Sequence, residues 1–270
     1  SYTNCGYDSS DTAVCTAATY PASSGLYDGP PSAWVDDRCF SNCSISTILP
    51  FPSLGSLKAA VARCLAKVPS GQACCSSGGA NCGMAGKVDM PLWDTSLVTD
   101  MSELFADKSY FNQDISMWNV SEVTSMRGMF RYASRFNQNL SAWNVGKVTN
   151  MEQMFSRAYN FNQDLSAWNV GKVANMQQMF YIASRFNQDL SAWNVGEVTN
   201  MAYMFREASR FNQNLSAWNV GKVTNMQQMF VKATSFNQDL SAWNVGNVTN
   251  MAYMFSRASR FNQDLSAWNV

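Results

Sequence analysis

Apolar residues return along most of this chain at fixed offsets. In the unit from Phe136 to Asn160, Leu140, Trp143 and Val145 have the L-x-x-L-x-L spacing of a leucine-rich-repeat strand, with Trp in the middle slot. Trp143 and Val145 stand two apart and therefore share one face of an extended segment. Gly146 permits a turn, although Ser96 and Ser121 replace it in the first two units. Val148 then re-enters the core. Met151, Met154, Phe155 and Ala158 come next at i, i+3, i+4 and i+7, which predicts one face of a helix of about two turns. The residue just ahead of each such run is Asp100, Ser125, Asn150, Asn175, Asn200, Asn225 or Asn250, all favoured helix N-caps.

The pattern has a strict period. Trp recurs every 25 residues, at Trp93, Trp118, Trp143, Trp168, Trp193, Trp218, Trp243 and Trp268. Self-similarity at this length marks a stacked array, because one unit of strand, turn and short helix cannot bury its own apolar face. The predicted fold is an α/β repeat solenoid of leucine-rich-repeat-like character, with a short strand and a short helix per 25-residue coil. It fills residues 87–270 with about seven to eight repeats. Each Trp is expected to lie over the Trp of the next coil, and each Met over a Met.

Residues 1–86 read differently, as a small disulfide-rich N-terminal domain. Leu54, Leu57, Val61, Cys64, Leu65 and Val68 follow helical spacing within 53–68, and Pro69 and Gly71 stop the helix. All eight cysteines fall here: Cys5, Cys15, Cys39, Cys43, Cys64, Cys74, Cys75 and Cys82. An even number packed into one segment reads as a disulfide framework whose connectivity the spacing leaves open. With no His and no paired C-x-x-C spacing, a zinc site is the weaker alternative. Disulfides imply an oxidising compartment, hence a secreted or cell-surface protein, and no charged-then-apolar leader precedes Ser1, as expected of a signal peptide already removed. Five N-x-S/T sequons, at Asn42, Asn119, Asn139, Asn214 and Asn247, are candidate glycosylation sites at that address.

"FNQDLSAWNV" and "VTNMQQMF" agree nearly letter for letter with F-N-x-D-[LI]-S-x-W-[DN]-V-S-x-V-T-N-M-x-x-M-F, the pattern of the 25- to 26-residue bacterial surface protein repeat. Residues 87–270 resemble that family, a leucine-rich-repeat-like domain of unknown function found in surface proteins and lipoproteins. This chain departs from it in using Gly-Lys where the family often has Ser-Asn, and in carrying the Cys-rich head. The resemblance implies an extracellular structural or adhesive role and names no catalytic residue.

Charge and composition narrow the rest. Formal net charge is zero and only 14% of residues are charged, so no basic stripe or aromatic-basic interleaving points to nucleic acid. No apolar run approaches the length of a membrane span. Asp114, Asp164, Asp189, Asp239 and Asp264 would stack into a carboxylate ladder able to hold Ca²⁺, but Asn139 and Asn214 interrupt it, and a solvated amide ladder is the favoured reading. The Met stripe reads as core and not as a soft-metal surface. Arg135, Arg185, Arg210 and Arg260 form a row broken by Asn160 and Ser235, read as a solvated edge. Without His, a phosphate-binding loop or an isolated carboxylate pair, no catalytic residue and no cofactor or metal is assigned.

The copies differ most just after the expected helix, in "RYASR", "SRAYN", "YIASR", "REASR", "VKATS" and "SRASR". The last unit keeps Leu265, Trp268 and Val270 unchanged, so its surface is expected to be covered either by further repeats of a longer array or, as the favoured reading, by another copy at an assembly end. Two functions are expected on this basis. One is a non-enzymatic extracellular filament subunit joined head to tail with itself; the other is an adhesin or receptor ectodomain that binds glycans or surface proteins through its variable face.

Overall fold

A computed structural model describes residues 2–7, 13–18 and 49–269. It divides into two compact units, Ser1–Thr47 and Ile48–Val270. In the first, strand β1 (Tyr2–Tyr7) pairs antiparallel with β2 (Ala13–Ala18), with Cys5 opposite Cys15 in the register. Cys39, Asn42, Cys43 and Val270 lie outside the described residues.

The second unit opens with helix α1 (Leu54–Lys67). The Ser53 hydroxyl accepts from the Ser56 N–H at its start, and Gly71, at φ +86°, turns the chain after its end. Leu57, Val61, Cys64 and Leu65 face inward and join the same apolar core as the repeats. For that reason the division between compact units falls at Thr47, and the boundary expected at residues 86–87 lies inside the second unit.

From Trp93 onward residues 25 apart lie over one another. Phe155 stacks on Phe130 at 5.5 Å between ring centroids and on Phe180 at 5.7 Å, with planes within 7°. Inside one coil Phe155 meets Phe161 at 3.9 Å. Trp193, Trp218, Trp243 and Trp268 form a column at 6.4–6.5 Å with planes within 2°. Met151, Met154, Met176 and Met179 are fully buried beside them. Rings held in offset contact gain more than their buried area alone supplies, and a repeated unit meets that geometry in every coil at once.

The backbone between those inward residues departs from expectation. No helix forms over 151–158 or its equivalents, and LSAWNV forms no strand; the described helices are α1 and two single 3₁₀ turns. Overlapping turns replace the helix. Met154 N–H donates to Met151 C=O at 3.1 Å, Ser156 to Gln153 at 3.1 Å, and Ala158 to Phe155 at 3.0 Å. The alternate amides leave the coil altogether. Met151, Gln153, Phe155 and Arg157 N–H donate to the C=O of Asn175, Gln177, Met179 and Tyr181 in the next coil, at 2.6–2.9 Å. Pointing successive amides that way demands left-handed residues, and Gln153 and Arg157 both sit at φ +58°. A true helix would turn all four of these amides along its own axis.

Strand-type pairing is reduced to one residue per coil, a parallel bridge running from Asp100 through Ser125, Asn150, Asn175, Asn200 and Asn225 to Asn250. The residues read as helix caps thus carry the bridge. Their side chains still satisfy a nearby amide, as when Asn175 Oδ1 accepts from Gln177 N–H at 2.9 Å, but each opens a turn and not a helix.

A second set of rungs runs in the opposite sense. Thr149 N–H and Oγ1 both reach Thr124 C=O, at 2.9 and 3.2 Å. The indoles from Trp118 onward do the same, as when Trp168 Nε1 donates to Leu140 C=O at 2.9 Å. These buried amides and indoles are therefore satisfied from coil to coil, which a dry interior requires.

Candidate functional site

Several candidates resolve into structure. Cys64 bonds Cys74 and Cys75 bonds Cys82, tying α1 to the loop that enters the first coil. The sulfurs of Cys64, Cys74 and Cys75 lie within 4.8 Å of one another, yet each is committed to a disulfide and offers no thiolate to a metal. Replacing Cys64 and Cys74 by Ala is expected to cost about 2–3 kcal/mol, since a short loop is released. Urea unfolding followed by Trp fluorescence measures it.

The FNQ residues form an amide ladder. Asn162 N–H donates to Asn137 Oδ1 at 2.9 Å, and Gln163 Nε2 reaches Asn137 C=O at 3.1 Å. The neighbouring carboxylates of Asp114, Asp164, Asp189, Asp239 and Asp264 are exposed, and each accepts from the amide of the Ser two residues on. That backbone bond, seconded by the Ser hydroxyl, holds Asp164, Asp239 and Asp264 below the ordinary carboxylate range. A depressed folded pKa stabilises above the unfolded value and loses that stability as pH falls through the folded one. Acid titration is therefore expected to soften these turns below about pH 4, while Asn139 and Asn214, in the same slot, do not respond. Carboxylate NMR shifts against pH check the sign.

The sequons at Asn119, Asn139, Asn214 and Asn247 are exposed. In the first three the Asn Oδ1 accepts from its own Ser amide at 2.9–3.1 Å. Asn247 instead spends its amide nitrogen on Gly221 C=O at 2.7 Å. Leu265 and Trp268 are half-buried where their equivalents Leu240 and Trp243 are buried. A recess of about 240 Å³ lies between α1 and the first coil, lined by Ala62, Leu65, Pro69, Lys108 and Tyr110.

The variable face is the part that single-column reading missed. Residues 106–110 and their equivalents up to 256–260 form one side of the array, and they hold ten Lys or Arg side chains against two carboxylates, Asp107 and Glu207. A chain with no net charge thus carries eight net positive charges on this side. The expectation of no basic stripe is corrected here. Taken one column at a time the cations are interrupted, but neighbouring columns fill the gaps.

Tyrosines order these cations. The Arg157 guanidinium lies 4.8 Å from the Tyr132 ring centroid and 5.4 Å from that of Tyr181. Arg131 and Arg206 approach the same two rings at 5.8 and 5.7 Å, and Arg135 covers Tyr110 at 4.4 Å. Partial burial lowers the Arg157 pKa, but Tyr132 and the hydroxyls of Tyr181 and Tyr159 outweigh it and raise the value above the ordinary one. Arg131 pairs with Asp107 at 3.3 Å, and Arg206 and Lys232 share Glu207 at 3.6 and 3.2 Å. Among the described residues, Arg135, Arg157, Arg185, Arg210 and Arg260 have no carboxylate partner.

The family described as "Mycoplasma protein of unknown function, DUF285" matches residues 80–193 and again 175–270. No curated protein and no solved structure matches the chain. Among the described residues no helix is long and apolar enough to cross a membrane.

Proposed function

We propose that this chain, which belongs to that family over residues 80–270, is a non-enzymatic extracellular structural protein of the bacterial surface protein kind. The observation that carries the reading is the uniform interior. Column after column of Phe, Trp and Met is buried along the stack, and each coil hydrogen-bonds the next through the same groups. Catalytic centres need a few groups set apart in one place, and this array spends its polar groups on stacking. The Cys64–Cys74 and Cys75–Cys82 bonds favour an oxidising address.

A surface that fits the neighbouring coil of its own chain also fits that coil in another copy, so head-to-tail association is the assembly that goes with this role. Glycans at Asn139 and Asn214, three coils apart, would decorate one side of it.

The test begins at the source. Protein recovered from the native organism under rapid alkylation is expected at the surface or in the medium, with all cysteines protected. Reduced protein inside the cell overturns the reading. Light scattering against concentration then examines assembly, where growing mass supports it and a constant monomer mass rejects it. Intact mass before and after deglycosylation decides the glycans.

A further inference from the structure

Three of the four tyrosines of the variable face are engaged by arginines, Tyr159 being the exception. Tyr132 and Tyr181 are covered by Arg131, Arg157 and Arg206, and Tyr110 by Arg135. The guanidinium groups of Arg135 and Arg157 are thereby held against aromatic rings, 4.4 Å from the Tyr110 centroid and 4.8 Å from that of Tyr132. A fork fixed in that way loses less side-chain freedom when it takes a bidentate oxyanion than a free Arg does. Arg135, Arg157, Arg185 and Arg210 occupy four successive coils, and Arg260 follows beyond the coil of Lys232, none of them with a carboxylate to neutralise it among the described residues. The long axis of this charge runs along the stack, so it fits a linear polyanion better than a single small ion.

We propose that this side of the array binds an acidic polysaccharide, with sulfate or carboxylate groups seated on the guanidinium edges between Arg135 and Arg260. The assignment rests on the proposed extracellular role, which makes polysaccharide the polyanion at hand. The engaged rings support it too: single-stranded nucleic acid needs a run of free aromatic faces on which bases can stack, and on this side Tyr159 alone has no arginine over its ring. An extended acidic peptide fits less well. Carboxylates on one face of a strand repeat at about 6.6 Å, out of step with coils paired at about 4.8 Å.

The experiment uses the whole oxidised chain, with dextran sulfate, polygalacturonate, neutral dextran and a single-stranded oligodeoxynucleotide as probes at several salt concentrations. Binding to dextran sulfate or polygalacturonate is expected, weakening steeply with salt, with none to neutral dextran. Preference between the first two assigns the group as sulfate or carboxylate. The triple variant Arg157→Gln, Arg185→Gln, Arg210→Gln is expected to lose about tenfold or more in affinity. The triple variant Lys147→Gln, Lys172→Gln, Lys222→Gln removes equal charge from another side and is expected to change it less than about twofold. Arg→Lys at the same three arginines keeps the charge without the fork and is expected to fall between these, and it carries the test should the Gln variant fail to fold.

Equal losses from the two Gln variants, tighter binding of the oligonucleotide, or no binding at low salt overturns the proposal. None of these results bears on where the native protein resides, so the extracellular role stands or falls separately.

Discussion

Replacing Gln178 with Pro is expected to destabilise the array by about 3 kcal/mol or more. Gln178 lies at φ +57°, far from the only φ that Pro can take, and its N–H donates to Ala202 C=O at 2.9 Å. The substitution would remove one rung to the next coil, leave that carbonyl unpaired in a part-buried site, and force the local turn open. The same residue discriminates sharply between two backbones. In a helix capped by Asn175, Gln178 would stand in the first turn, where Pro costs little because the N–H has no partner there. Gln178→Ala is the control. It keeps the rung and gives up only the side-chain bond from Gln153 Nε2, so a loss of about 1 kcal/mol or less is expected. Urea midpoints for the two variants decide between the backbones: equal, small effects would mean that a helix is present after all.

The larger effect comes from deleting residues out of phase. Excising 171–195 removes one full period and joins Val170 to Gly196, which restores the sequence Asn-Val-Gly at the joint. Every column then closes over the gap. The shortened protein is expected to fold with the same circular dichroism per residue and a modest loss of stability, that of one interface. Excising 171–182 removes less than half as much chain and is expected to do far more damage. It takes out Val173, Met176, Met179 and Phe180, all fully buried, and leaves a remnant that cannot complete a coil. The flanking stacks lose contact with each other, and unfolding is expected to split into two transitions or to be complete in buffer. If the shorter deletion proves the milder, stacking in register is not what holds the protein together.

The contrast between these two experiments shows what the amino-acid order displays. Inward residues are legible in detail. The spacing of Met151, Met154, Phe155 and Ala158 turns them toward the core, and all four are buried. The path between them is not legible, because i, i+3, i+4, i+7 is produced equally by an amphipathic helix and by successive three-residue turns. Glycine would signal the left-handed positions, but Gly128 alone occupies that slot. Gln153, Gln178, Tyr203, Gln228 and Tyr253 adopt the same conformation without any compositional sign. Tertiary bonding holds them there, and Ile182 at φ +56°, a branched side chain, shows how far stacking overrides local preference.

The candidate site is hidden for a related reason. Stacked columns advance in steps of 25, whereas the basic side of the array crosses several columns. Arg157 stands one position later in the repeat than Arg131 and Arg206, and meets the first only around Tyr132 and the second only around Tyr181. Comparing equivalent positions, which reveals the core, separates residues that the surface brings together.

The rungs also give the array a direction. Over 151–157 the inter-coil amides donate toward higher residue numbers, while Thr149 and the indole of Trp168 donate toward lower ones. The two broad surfaces of a coil are therefore plug and socket. Two copies brought together plug to plug, with like sides aligned, would set N–H against N–H. Symmetric pairing across those surfaces is disfavoured by the backbone itself, and any end-on contact must keep the polarity of the chain.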